Sequence, residues 1–208
     1  MNKWIGVRAT LLTPLYYHGV YVPDGSATEP TILTDTAMVF ALAATLNCAP
    51  TRFLRAVPNY KEDLKNIPWK ATLFLSSNAH LMAPVRHIID ADREGGNTET
   101  MQGNMASGNF KKTFYVHEVT PGAVYSGALY GPDPFEAIEQ KEIIVRMGVG
   151  RTGMVQLQKT SLPKEVVLNT ATAALFGYSL PEAYRILNTI RPSHPLPQTQ
   201  AEAMLAAW

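Results

Sequence analysis

The chain is poor in cysteine, in charge and in long apolar runs, and each shortage removes a class of function. Its single cysteine, Cys48, rules out an internal disulfide and a cysteine-rich zinc site, and fits a reducing cytosol. Charged residues make up only 17% of the sequence and the net charge is +1, whereas typical soluble domains carry about 25% charged residues. So neutral a chain is not a free-standing, nonspecific nucleic-acid binder, although a local basic site is allowed. With 15 prolines and 14 glycines beside that weak charge, the expectation is a protein that buries much of its surface against partners. The longest apolar stretch, Ala37 to Leu46, falls well short of the roughly 18 residues needed to span a membrane. The N-terminus reads as a strand without the apolar core of a signal peptide, so the expected protein is soluble and cytoplasmic, with no membrane partner.

Familiar catalytic and cofactor patterns are missing as well. The five histidines, His18, His80, His87, His117 and His194, show no metal-ligand spacing, and Asp90-Ala-Asp92 has no partner motif. No nucleophile elbow, paired-carboxylate motif or kinase signature occurs. No cofactor and no metal are expected.

What is present centres on Arg146-Met-Gly-Val-Gly-Arg-Thr-Gly153, which has glycines at 148, 150 and 153. An apolar run, Ile143 to Val145, leads into it, and Met154 to Lys159 leads out with the alternation of a strand. From Arg146 to Lys164 there are four basic residues and no acidic one. Neither the P-loop spacing nor a helix-opening dinucleotide fingerprint is met. A glycine turn bearing Arg146 and Arg151, with Lys159 beyond it, lets backbone N–H groups and guanidinium forks approach a phosphate. By itself it is equally a tight connection between two elements.

Around that turn, alternation places a first strand at 4–13. Thr34 or Asp35 caps a helix over 36–47 whose Ala37, Ala41 and Ala44 face is expected to pack on a sheet. A helical piece over 51–57, strands at 70–76 and 85–89, and a hairpin of 111–120 with 123–130 about Pro121-Gly122 follow. Asp133-Pro134 opens a helix to about Glu142. Later come a strand over 164–168, a helix over 181–190 and a last helix ending at Trp208. Residues 90–109 contain hardly any large apolar side chain except Met101 and Met105, and should project as a long loop or hairpin with Lys111 and Lys112 at its base. Tyr17 and Tyr21 are candidates for stacking on bases. His18, next to Tyr16 and Tyr17, is a candidate general base for RNA cleavage. Arg52 and Arg55 form a second small basic site. The whole reads as α+β, an antiparallel sheet with helices in ferredoxin-like order.

Three stretches together resemble a known family: Leu12-Thr-Pro-Leu-Tyr-Tyr-His-Gly with Thr28-Glu-Pro-Thr-Ile-Leu-Thr-Asp-Thr-Ala; the polar excursion at 90–109; and Ile144-Val-Arg-Met-Gly-Val-Gly-Arg-Thr-Gly-Met-Val. In this order they look like the RAMP subunit that caps the 5′ handle of crRNA in class 1 CRISPR effectors, the number-five Cas family. The Thr-Glu-Pro followed by an alanine-rich helix is closest to the type I-D version, and the length is similar to the type IV version. The resemblance implies an RRM-like, ferredoxin-type body over residues 1–165 with a glycine-rich loop at Gly148, Gly150, Arg151 and Gly153. It implies a β-hairpin thumb at about 90–112 and a place at the 5′ end of a crRNA beside the backbone RAMP subunit, in a Cascade-like complex with a large subunit or helicase. Contact with target DNA near the PAM belongs to the family's range, without a residue assigned to it here. Residues 166–208 match nothing in the family and are expected as an extension packed on the same domain. The leading expectation is a non-catalytic crRNA-binding subunit using Arg146, Gly148, Gly150, Arg151, Gly153, Lys159, Lys111, Lys112, Tyr17 and His18. The alternatives are a metal-independent endoribonuclease of the same superfamily, with His18 or His117 as base, and a protein–protein module with a purely architectural turn.

Overall fold

The computed structural model describes residues 2–17, 19–23, 25–48, 59–90 and 111–208. Strand β1 (Lys3–Leu11) is the spine of the fold. Ile5, Val7, Ala9 and Leu11 alternate into the core while Arg8 faces out, as the two-residue period of a strand requires. After it come β2 (Val20–Val22), β3 (Gly25–Ala27), β4 (Ile32–Leu33), and helices α1 (Asp35–Thr45) and α2 (Tyr60–Asn66). Strands β5 (Lys70–Ala71), β6 (Phe74–Leu75), β7 (Val85–Asp90), β8 (Lys111–His117) and β9 (Val124–Gly131) follow. The one-turn helix α3 (Pro134–Ala137) leads to β10 (Glu142–Met147) and β11 (Gly153–Thr160), and then to β12 (Glu165–Val166), α4 (Thr170–Leu175), β13 (Leu196–Pro197) and α5 (Gln198–Leu205).

The main sheet runs β10-β11-β1-β9-β6-β4, with β5 also on β9. Taken in chain order, β1, α1, β6, β9, α3 and β11 form a β-α-β-β-α-β unit. Its four strands lie side by side as β11-β1-β9-β6, every pair antiparallel. This is the ferredoxin-like arrangement, with the second helix cut to a single turn and β10 added outside the last strand. Helix α1 starts where the sequence says it should, with the Thr34 side chain accepting from the Ala37 N–H at 3.3 Å. It buries Met38, Val39 and Leu42 in one cluster with Ile5, Val7, Val145 and Leu157. Each such side chain contributes roughly 1.5–3 kcal/mol of burial. No described helix is long and apolar enough to cross a membrane.

A second sheet, β2-β3-β8-β7, stands apart from the first. β7 and β8 pair antiparallel from Val85↔Val116 to Asp90↔Lys111, so the segment expected as a thumb leaves from the open end of a hairpin. Residues 91–110, with Met101, Met105 and Phe110, lie outside the described residues, as do the helical piece 51–57 and its Arg52 and Arg55.

Several sequence-based expectations are corrected. The hairpin of 111–120 with 123–130 does not form. The turn at Pro121-Gly122 exists, but β8 joins β3 and β7 whereas β9 joins β1, β5 and β6. Between them Val119 exchanges backbone hydrogen bonds with Leu15 (2.9 and 3.2 Å), and the Thr120 N–H donates to the His80 carbonyl, so the chain crosses from one sheet to the other. The strand expected over 70–76 is interrupted where the Leu73 N–H turns to the Val167 carbonyl at 2.8 Å. The helix begun at Pro134 stops at Ala137, because the chain from Glu142 onward is recruited as β10. No helix forms over 181–190. Local propensity yields there to non-local pairing, with the Ala183 N–H on Pro192 and a bridge between Glu182 and Ser193.

Residues 166–208 pack on the same body. Val166, Leu168, Ala201 and Leu205 cluster with Ala128, Trp4 and Tyr130 on the sheet face opposite α1. From there the chain reaches the start of α1, where the buried Asn169 Nδ2 donates to Asp35 Oδ1 at 2.9 Å.

Candidate nucleic-acid interface

β10 delivers Arg146 and Met147 to the glycine turn. Gly148 follows (φ 81°), then a 3-10 turn, Val149–Arg151, and the hairpin closes into β11. The glycines serve different ends. A Cβ on Gly148 would lie 2.5 Å from the Tyr16 carbonyl oxygen and 2.8 Å from Leu15 Cδ1, and one on Gly153 would lie 2.5 Å from Leu15 Cδ1. Both are glycine because residues 13–17 lie directly against them. Gly150 has open space, with nothing nearer than Thr152 Cγ2 at 3.7 Å, and its φ of 65° is the left-handed geometry of the turn itself.

Hydrogen bonds to that segment and within the turn itself hold the loop in place. The Val149 N–H donates to the Tyr16 carbonyl (2.9 Å), the Arg151 N–H to Gly148 (3.1 Å), and the Met154 N–H to Thr13 Oγ1 (2.8 Å). Two of the amides expected to cradle phosphate are thus engaged within the protein, which puts the weight of anion recognition on the guanidinium groups. Arg151 also has a left-handed backbone, φ 54°. For a residue with a side chain this costs roughly 1–2 kcal/mol, a strain held on an exposed cation.

Between the turn and α1 lies a cleft of about 500 Å³. Four residues singled out in the sequence meet there: Tyr17, Arg146, Gly148 and Arg151. Two arginines and, among the described residues, no carboxylate line it. Its remaining wall escaped the sequence reading. Ala37 and Ala41, assigned to sheet packing, do belong to the core but also line the cleft beside Phe40. The rest comes from Leu175 at the end of α4 and from Asn188 and Thr189, where a helix was expected, all in the segment where the family resemblance is silent. The small side chains of α1 were the available signal, because two alanines one turn apart leave room for a guest as readily as for a neighbouring strand.

The other candidates lie elsewhere. Lys159 is six residues beyond Gly153, roughly 20 Å along the strand. Its Nζ is 2.5 Å from Asp133 Oδ2, 3.8 Å from Glu136 Oε1 and 5.8 Å from the Phe135 ring centre. Asp133 in turn caps α3 by accepting from the Phe135 and Glu136 amides. Burial works against the Asp133 carboxylate, but the Lys159 hydrogen bond and these two amides outweigh it and hold it below the ordinary carboxylate range. Lys159 is therefore an anchor of the α3 turn. Lys111 and Lys112 sit at the open end of the β7–β8 hairpin, their side chains outside what is described. His18 and the side chain of Tyr21 are outside it too. His117 is at the end of β8, where its carbonyl accepts from the Thr28 N–H at 3.1 Å, and it does not line the cleft. Among the described residues no cluster of histidine, cysteine or carboxylate side chains could hold a metal ion.

No family model and no curated protein matches the chain. Among solved structures it is similar to a chain in the cryo-EM structure of the type III-B Cmr-β complex bound to cognate target RNA and AMPPnP, in state 1, with 9% sequence identity and a TM-score of 0.42. The match covers 76% of this chain and 64% of that one, so it spans less than two thirds of the neighbour's length.

Proposed function

We propose that the chain is a RAMP-type RNA-binding subunit, a non-catalytic part of a class 1 CRISPR effector that caps the 5′ handle of crRNA. The observation that carries this reading is the convergence of Tyr17, Arg146, Gly148 and Arg151 on one cleft, lined by no carboxylate among the described residues, at the edge of a ferredoxin-like sheet. Guanidinium forks suit phosphate, and an aromatic side chain beside them suits an unstacked base, as single-stranded RNA is read. The open face of the sheet favours the cleft over an RRM-style platform. Arg8, Gln158, Glu142 and Gln156 form a hydrogen-bonded ladder across that face, while the aromatic residues Trp4 and Tyr130 are covered by the C-terminal segment. Lys111 and Lys112, at the start of β8, are proposed as further phosphate contacts. Low overall charge favours binding as one piece of an assembly, alongside a backbone RAMP subunit and a large subunit or helicase.

Co-expression with a repeat-containing RNA and the neighbouring subunits tests this. The expected result is a complex retaining crRNA of defined length with an intact 5′ handle. Arg151→Ala should weaken RNA binding and reduce its salt slope by roughly one unit. An assembly that retains no RNA, or an Arg151→Ala assembly with unchanged affinity and slope, overturns the reading. Discrete cleavage of repeat RNA in EDTA, lost in His18→Ala, would replace it by the endoribonuclease.

A further inference from the structure

The cleft beside the glycine turn has two kinds of wall. The turn supplies the cations Arg146 and Arg151, and the helices supply hydrocarbon, Phe40 from α1 and Leu175 from α4, a residue 39% exposed. Asn188 adds an amide, able both to donate and to accept, to the same lining. We propose that this cleft is a pocket for a single nucleotide, with the base between Phe40 and Leu175, the phosphate at Arg151 and Asn188 reading the base edge. The inference rests on the RNA-binding reading above and gives it a specific ligand unit.

Size, charge and chemistry agree. About 500 Å³ falls within the range of roughly 300–1,000 Å³ for small-ligand sites, and suits one unstacked nucleotide. A cationic rim over an apolar slot matches a ligand that is anionic at one end and flat and apolar at the other. The slot exists because residues 171–189 are tied to α1. Asn169 donates to Asp35 Oδ1 and to the Thr189 carbonyl, both at 2.9 Å, which sets the far wall at a fixed distance from Phe40. The C-terminal segment thereby acquires a task, completing a base pocket that the ferredoxin-like body alone leaves open on one side.

The test is calorimetric titration of the full chain with AMP, GMP, CMP, UMP, ribose 5-phosphate and 5′-phosphorylated tetraribonucleotides. At least one mononucleotide should bind roughly tenfold or more tightly than ribose 5-phosphate, within the range that stacking of one base supplies. Leu175→Glu, a change at a partly exposed position, should bring that nucleotide down to the level of ribose 5-phosphate. Arg151→Ala should weaken every probe, and Asn188→Ala should flatten the ranking of the four bases. A tetranucleotide that binds more tightly with the same base ranking identifies a strand end as the ligand, and equal affinities identify the free mononucleotide. Ribose 5-phosphate binding as well as the nucleotides, or Leu175→Glu without effect, overturns the pocket. If crRNA still co-purifies in an Arg151-dependent way, the pocket alone falls and the RNA-binding reading stands.

Discussion

Replacing Asn169 should cost the protein far more than its place at a short helix cap suggests. Its side chain uses its full hydrogen-bonding capacity. Nδ2 donates to Asp35 Oδ1 and to the Thr189 carbonyl, while Oδ1 accepts from the amides of Ala171 (3.2 Å) and Arg191 (3.1 Å). Asn169→Ala strands all four partners. A polar group left unsatisfied in the interior costs about 1–3 kcal/mol, but bonds within one network do not add. Only the Asp35 bond is fully buried, whereas water reaches the other three in part. A loss of about 3 kcal/mol is therefore expected, which for a chain of this size lowers the Tm by roughly 6–12 °C. Urea titration followed by circular dichroism measures it. Asn169→Asp supplies the control: it keeps the acceptor for both amides but sets a second carboxylate against Asp35, and two adjacent carboxylates do not both ionise. That variant should be weakest near pH 7 and recover toward pH 4. A loss under about 1 kcal/mol in Asn169→Ala, or an Asn169→Asp deficit independent of pH, would refute the account of this node.

Burial raises the Asp35 carboxyl above the usual range, outweighing the hydrogen bonds from Thr172, Asn169 and the backbone amides that lower it. The folded state then holds the proton more tightly than the unfolded chain, where aspartate titrates near pH ~3.9. The stability this residue contributes is full below that pH and is lost as pH rises through the folded value. Asp35→Asn should gain on the wild type between pH 4 and pH 7 in urea titrations at fixed salt, and a flat difference would count against the assignment. Gly148→Ala meets a backbone oxygen at 2.5 Å as well as a positive φ, so about 2–5 kcal/mol should be lost, whereas Gly150→Ala meets only the backbone term of about 1–2 kcal/mol. Chemical denaturation of the pair checks that order. Lys159→Met should lower thermal stability while leaving RNA affinity and its salt slope unchanged, since its ammonium is committed to Asp133.

What was legible in the sequence was whatever local chemistry decides. The alternation of Ile5, Val7, Ala9 and Leu11, the Thr34 cap and the Asp133-Pro134 helix start each state their outcome within a few residues, and all three form. What escaped depends on partners far away in the chain. The Pro121-Gly122 turn gives no sign that its flanking strands belong to different sheets, because that is settled by Val119 pairing with Leu15, more than a hundred residues earlier. Residues 181–190 carry helical spacing but are held by Asn169 and Pro192 instead. At the candidate site the basic half, Arg146 and Arg151, was visible as a charge excess around glycines. The apolar half was not, since nothing local in the sequence singles out Phe40 or Leu175, and only the fold brings them to one cleft. The partner of Lys159 was hidden for the same reason: in sequence it belongs to the basic stretch that begins at Arg146, and in space it lies against Asp133.

The short run from Leu15 to Tyr17 has a consequence of a mechanical kind. Leu15 exchanges hydrogen bonds with Val119, just past the end of β8. Tyr16 receives the turn through Val149, and the Tyr17 N–H rests on Thr28, which also binds His117. The β7–β8 hairpin and the turn that carries Arg151 thus have a common footing three residues long. They are set at a fixed separation by one strut of backbone, which works as a caliper. A ligand held at both points is gauged for length as well as for chemistry.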